Sequence, residues 1–219
     1  GDAQLGGRDW DDRLLDLVAE RFVQQQGDDF RSDEEAVARL RQLCEEAKRT
    51  LSAREKATVL CDYGGRAAKI EISRNEFEAS TADLLDRTRF TAQQTLKAAG
   101  LNWNEIDTVL AVGGSTRMPM VGRMLKKLTD HEPDSSISPD EAVAHGAALH
   151  AGQIIRRAHG EKPAFLVRNV NSHSLGVVGV DPRTRRPRNG ILIPRNTPLP
   201  VLARRRFKTK DDGQESIVV

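Results

Sequence analysis

The sequence predicts an α/β protein with a β-rich C-terminal segment, and three observations carry this. An apolar run, Thr108-Val109-Leu110-Ala111-Val112, reads as a buried strand, breaks at Gly113-Gly114 and is followed by a helix. Upstream, helical and strand periodicities alternate: Trp10, Leu14, Leu17, Val18 and Phe22 recur at helical spacing, whereas Ala68-Lys69-Ile70-Glu71-Ile72 alternates with period two. Near residues 159–163 helical periodicity ends, and Pro, Gly, Val and Arg dominate from there on.

The elements follow in order. A helix starts at about Asp9, after the loop ending in Gly6-Gly7. Ser32-x-x-Glu35 is read as a capping box opening a helix to about Leu51. Segments 56–63 and 67–72 form a hairpin about Gly64-Gly65. Ser73-x-x-Glu76 caps one long helix to about Ala99, stopped by Gly100, and residues 102–106 make one short turn. After the 108–112 strand, Ser115 or Thr116 caps a helix with Pro119 in its first turn. Ser138-Pro139-Asp140-Glu141 opens a helix lined with small residues. Short strands are expected at Ser174–Val180, Gly190–Pro194, Arg206–Lys208 and Ser216–Val219.

With 219 residues, 30% charged and 38% hydrophobic, the chain suits one or two globular domains. No run of about twenty apolar residues occurs, so no membrane partner is expected. The chain opens Gly1-Asp2-Ala3-Gln4, without a methionine or a signal peptide, and this favours a cytoplasmic fragment. Cys44 and Cys61 have no CxxC spacing, and His131, His145, His150, His159 and His173 have no metal-ligand spacing, so no metal site is expected. Residues 156–219 hold 14 Lys and Arg against 5 Asp and Glu, a net charge of +9; the other 155 hold 20 against 27, a net charge of −7. Such a segment suits nucleic acid, acidic lipid or a solvated loop. Arg183, Arg185, Arg186 and Arg188 lie among Pro182, Pro187 and Gly190, with no aromatic platform, so the loop is preferred over a nucleic-acid partner.

Two constellations point to a ligand. A strand, a glycine turn and a helix N-terminus at 108–119 can cradle an anion, because glycine admits close backbone approach and free N–H groups face outward; an ordinary strand-to-helix turn is the alternative. On the helix after Ser32, Glu45, Lys48, Arg49 and Ser52 stand at i, i+3, i+4 and i+7 and share a face. Arginine can stack on a purine while the other three hydrogen-bond base and ribose; alternatively Glu45 and Arg49 form an ordinary helix pair.

Four blocks together resemble the seventy-kilodalton heat-shock chaperones of DnaK type. They are Gly1-Asp2-x-x-Leu5-Gly6-Gly7-x-Asp9; Cys44-Glu45-x-Ala47-Lys48-Arg49-x-Leu51-Ser52; Gly113-Gly114-Ser115-Thr116-Arg117-Met118-Pro119; and Ser138-Pro139-Asp140-Glu141-Ala142-Val143-Ala144-x-Gly146-Ala147-Ala148. The resemblance implies an actin-like (ribonuclease-H-like) ATPase lobe. Residues 1–158 would be the second lobe, with 8–105 its upper subdomain and 106–158 its core; 159–171 would be the interdomain linker and 172–219 an incomplete substrate-binding β-domain. It implies ATP or ADP as cofactor. Gly7 would lie near the phosphates, and Glu45, Lys48, Arg49 and Ser52 would clamp adenosine. Gly113, Gly114, Ser115, Arg117 and Met118 would form the phosphate-side loop and base shelf, with Asp140 near the nucleotide and its cation. Mg²⁺ and the catalytic residues would belong mainly to a first lobe outside this sequence, so no catalytic residue is assigned and this chain alone would not hydrolyse ATP usefully. Val177, Val180, Phe207 and Ile217 would line a groove for client peptides, or serve simply as sheet core. A nucleotide exchange factor and a J-domain co-chaperone would be partners.

The sequence departs from the family's linker, a leucine-rich run flanked by aspartates: Ala164-Phe165-Leu166-Val167-Arg168-Asn169 carries an arginine and no acid. An arginine-rich insertion runs from Asp181 to Asn189. The competing readings are a non-catalytic partner-binding module and a divergent paralogue without ATP-coupled allostery.

Overall fold

The computed structural model describes residues 2–181, 183–207 and 213. The chain divides into two compact units, Gly1–Ala148 and Leu149–Val219, with helix and strand mixed along it.

In the first unit, α1 (Gly7–Gln26) buries Trp10, Leu14, Leu15, Val18, Ala19 and Phe22 along one stripe and ends at Gly27, whose φ of 81° is left-handed. Helix α2 (Glu34–Ala53) buries Ala36, Leu40, Cys44, Ala47 and Leu51. Its cap is Asp33, not Ser32: the Asp33 carboxylate accepts from the Glu35 and Ala36 amides, whereas Ser32 belongs to a 3₁₀ turn, Phe30–Ser32. The carboxylate one residue later reaches two amides near the positive helix terminus, so it displaces the expected hydroxyl.

Strands β1 (Lys56–Tyr63) and β2 (Arg66–Ser73) form the expected antiparallel hairpin. Ala57, Val59 and Cys61 on β1, and Ala68, Ile70 and Ile72 on β2, are buried and alternate with exposed residues. That face packs on α1 and α2 and completes the core. Both cysteines are free within it, and burial pushes the Cys44 thiol up to about 12 and that of Cys61 to about 11.

The expected long helix after Ser73 is two helices, α3 (Arg74–Ser80) and α4 (Ala82–Ala99). Thr81, fully buried, donates its hydroxyl to the Phe77 carbonyl, the acceptor its own amide would use in an unbroken helix. The Ser73 capping box does form. The Ser73 hydroxyl and amide both donate to Glu76, at 2.6 and 2.9 Å, and Glu76 also pairs with Arg21. The Ser73 hydroxyl bond, then the Ser73 amide, then Arg21 hold the Glu76 carboxyl down at about 2 against an ordinary 4.5. Its folded-state value lies below its unfolded one, so its stabilisation is complete above about pH 4.5 and is lost as pH falls toward about 2. Glu76→Gln is expected to cost about 1 kcal/mol at pH 7 and to flatten the acid limb of urea stability measured from pH 5 to pH 2.5. An unchanged acid limb counts against this assignment.

Residues 108–112 are not a strand. Among the described residues the segment pairs only with Asp134, through one parallel bridge at Leu110, with Ala111 donating to the Asp134 carbonyl and the Asp134 amide to that of Val109. Leu110 and Val112 stay exposed, and one bridge does not propagate a ladder. Residues Gly114–Arg117 form a 3₁₀ turn, and α5 (Pro119–Thr129) starts at the expected proline with Met118 as its cap. Neither Ser115 nor Thr116 caps α5, because both lie inside the preceding turn; the Thr116 hydroxyl donates to the Gly113 carbonyl. Ser138 opens a turn in which its carbonyl accepts from Glu141 and Ala142, and α6 (Ala142–Ala158) follows.

In the second unit, β3 (Leu175–Val180) pairs antiparallel with β4 (Pro187–Ile193), with an irregularity at Leu175/Gly176. A Cβ on Gly176 would lie 2.6 Å from the Gly190 carbonyl oxygen, so the strands meet there only through glycine. The arginine-rich connection closes tightly: Asp181 accepts from the Arg183 and Thr184 amides at its side chain, and its own amide donates to the Arg186 carbonyl. Arg206 and Phe207 carry no strand; Lys208, Ile217 and the expected strand Ser216–Val219 lie outside the described residues.

Candidate nucleotide site

The first turn of α1, the C-terminal part of α2 and the glycine turn converge around Gly7, and the approach to α6 joins the glycine turn. Lys48 donates to the Gly7 carbonyl at 3.0 Å. A Cβ on Gly7 would sit 3.3 Å from the Ser115 hydroxyl and 3.4 Å from Lys48 Nζ. Three separate segments thus meet at a point where a side chain would sit tightly against Ser115 and Lys48. The fourth is tied in through the glycine turn. The Gly113 amide donates to the Pro139 carbonyl at 3.0 Å, and Arg117 pairs with Asp140 at 2.5 Å. A Cβ on Gly114 would lie 3.8 Å from Asp140 Oδ1.

The α2 face divides by depth. Glu45 and Arg49 pair at 2.6 Å with the Arg49 side chain 74% exposed, so the guanidinium is held only by a surface ion pair. Such a pair contributes a few tenths of a kcal/mol, and releasing it to a ligand costs little. Ser52 is half-buried and donates to the Lys48 carbonyl at 3.2 Å. Lys48 is deeper still, 2.8 Å from Asp11 Oδ1. Met118 is in the core, 3% exposed, with Met120, Val121 and Met124. The structure therefore brings Gly7, Lys48 and Ser115 together and joins Gly113, Gly114 and Arg117 to Asp140. Glu45 and Arg49 stand on the open side.

Sequence alone did not single out Asp11. It is 6% exposed, and burial raises its carboxyl while Lys48 draws it back down. The signal was available: 11, 15, 18 and 22 form one helical stripe, so an acid interrupts the buried face of α1.

Of the groove residues, Val177 and Val180 are three apart on β3 and face opposite sides of the hairpin. Val177 pairs with Gly190, and the Phe207 ring lies 3.7 Å from where a Gly190 Cβ would stand, so Val177 and Phe207 share a face and Val180 does not.

The family model for Hsp70 proteins matches residues 1–219, the whole chain. The chain belongs to the Hsp70 family. Among its Hsp70 relatives, the chaperone protein DnaK of Trichormus variabilis is 37% identical over 225 residues, covering 100% of this chain and 31% of that protein. The chaperone protein DnaK of Halobacterium salinarum is 38% identical, covering 100% of this chain and 34% of that protein. That of Thermotoga petrophila is 38% identical over 230 residues, covering 100% and 37%. The chain spans about a third of the length of the curated relatives it matches. Among the described residues, no helix is long and apolar enough to cross a membrane.

Proposed function

We propose that this Hsp70 chain supplies one wall of an adenine-nucleotide site in an ATP-dependent folding chaperone of DnaK type. The observation that carries the reading is the meeting of Gly7, Lys48 and Ser115 at one point, with Asp140 joined to the same glycine turn through Arg117. Arg49 would leave Glu45 to stack on the base, and Glu45 and Ser52 would face its nitrogens and the ribose. Gly7, Gly113, Gly114 and Ser115 would take the phosphate side, where bare backbone admits close approach. Met118 would act from beneath, as the packed support of the turn, and Asp140 would orient Arg117.

Among the described residues no group of three or more His, Cys, Asp and Glu side chains converges. Nucleotide-bound Mg²⁺ takes phosphate oxygens, water and one or two carboxylates, and in this reading those carboxylates would come mainly from outside this chain. In the same reading residues 1–158 form the second lobe of an actin-like ATPase domain, 8–105 its upper part and 106–158 its core. Residues 159–171 act as linker, and 172–219 contribute to a β-domain that takes extended client peptides against Val177 and Phe207. Exchange factor and J-domain partners, and a cytoplasmic setting suited to two free cysteines, belong to this reading too.

Calorimetric titration of the chain with ADP and Mg²⁺ tests it. Binding is expected, and Arg49→Ala should weaken it about tenfold, the equivalent of about 1–2 kcal/mol for a desolvated stacked cation. No heat at millimolar ADP overturns the reading. A partner-binding module would then be the better account, supported by α6, which buries none of its residues and exposes Val143, Leu149, Ile154 and Ile155.

A further inference from the structure

The point around Gly7 rests on a buried acid to which the nucleotide reading gives no part. Asp11 lies one turn beyond Gly7 on α1, and its side chain is 9% exposed. Lys48 reaches it from α2 with its own side chain 13% exposed, and its ammonium contacts both Asp11 Oδ1, at 2.8 Å, and the Gly7 carbonyl, at 3.0 Å. Asp11 Oδ1 accepts no hydrogen bond among the described residues, so the ammonium of Lys48 beside it is the charge that offsets its burial.

This arrangement constrains a side chain that is otherwise loose. A lysine has a flexible four-carbon stem and three rotatable donors, and left in solvent it samples many positions. Here Nζ donates to the Gly7 carbonyl at 3.0 Å and sits 2.8 Å from Asp11 Oδ1 in an ion pair, two restraints that hold it in place. A Cβ on Gly7 would lie 3.4 Å from that Nζ and 3.3 Å from the Ser115 hydroxyl, so two donor groups from different segments flank one spot beside bare backbone. Donors held in place before the ligand arrives bind it without the cost of ordering them.

We infer that Asp11 is a positioning residue of the nucleotide site, acting through Lys48 to hold its ammonium beside Gly7 and Ser115. The inference rests on the nucleotide reading above. Asp11 itself is too deep to touch the ligand; its contribution is where Lys48 points. An ion pair that only ties α1 to α2 would stabilise the fold and leave nucleotide affinity unchanged.

A double-mutant cycle on the full chain separates these roles. ADP affinity with Mg²⁺ is measured by calorimetry for the wild type, Asp11→Asn, Lys48→Met and the double variant, alongside melting temperatures without nucleotide. Each single change is expected to weaken ADP about tenfold, and the double variant should bind within about twofold of Lys48→Met, because Asp11 acts only through that lysine. Losses that multiply in the double variant, or an Asp11→Asn chain that binds like the wild type, overturn the inference. Should Asp11→Asn fail to fold, Asp11→Glu decides. It keeps the charge and moves it by one methylene, so weaker ADP binding at an unchanged melting temperature supports positioning, and unchanged ADP binding overturns it. A wild type that binds no ADP overturns the nucleotide reading and this inference together; a wild type that binds with multiplying losses overturns this inference alone.

Discussion

Phe22→Ala is expected to destabilise the Gly1–Ala148 unit by about 3–5 kcal/mol, the cost of removing a fully buried ring that its neighbours cannot replace. Phe22 is fully buried on the inner stripe of α1. Its ring meets Phe30 edge-on at 6.0 Å, and Phe30 meets Tyr63, at the end of β1, at 6.3 Å. This aromatic row links α1, the 3₁₀ turn and the hairpin, so its loss opens a cavity where three elements join. Aromatic residues are 4% of the sequence, and few others are available to fill it. Urea unfolding at pH 7 measures the effect, with Phe90→Ala as a control. Phe90 is 61% exposed and should cost no more than about 0.5 kcal/mol. A Phe22→Ala loss as small as that of the control would refute the core assignment.

The second large effect is expected at Lys48. Lys48→Met fills similar volume but leaves Asp11 buried without its countercharge, at a cost of about 3 kcal/mol at pH 7. The pH dependence identifies the cause. Burial already raises the Asp11 carboxyl above its ordinary value, and the loss of Lys48 removes what lowers it. The folded variant then binds a proton that the unfolded chain does not hold, so its stability falls as pH rises through the window between the ordinary and the raised value. The deficit of Lys48→Met is therefore expected to shrink as pH is lowered through that window, as Asp11 becomes neutral in place. Asp11→Asn added to Lys48→Met should remove most of that pH dependence, because no buried acid remains. Urea midpoints at pH 5, 6 and 7 for the three chains test this. A deficit independent of pH would mean that Lys48 stabilises by packing of its stem alone.

Much of this was legible in the sequence, and the legible parts share a cause. The α1 stripe, the alternation in β2, the Gly64-Gly65 turn, the Ser73 box and the Gly100 stop each depend on residues within one or two turns of one another. Local spacing is enough to specify them. Where two local solutions competed, the sequence could not choose. Asp33 outcompetes Ser32 as cap, and Thr81 breaks a helix that its neighbours would continue, because its hydroxyl takes a backbone acceptor once the residue is buried. The 108–112 run has the composition of a strand, but a strand also needs a partner, and Asp134 alone bridges it among the described residues.

The candidate site shows the same division. The α2 face and the glycine turn each read as ligand-facing from their own few residues, whereas Gly7 entered only through the family resemblance. By itself the sequence determined α1, the body of α2, the first hairpin and the motif blocks that identify the family, because these are properties of neighbours along the chain. Only the tertiary structure decided that Lys48, on the sequence's clamp face, turns down to Asp11 and to a Gly7 carbonyl 41 residues away, while Arg49, its neighbour, stays in solvent. The physical reason is burial: a charge on the rim of the core must find a counterion, and which acid lies within reach is set by how α1 packs on α2, not by anything in either helix alone.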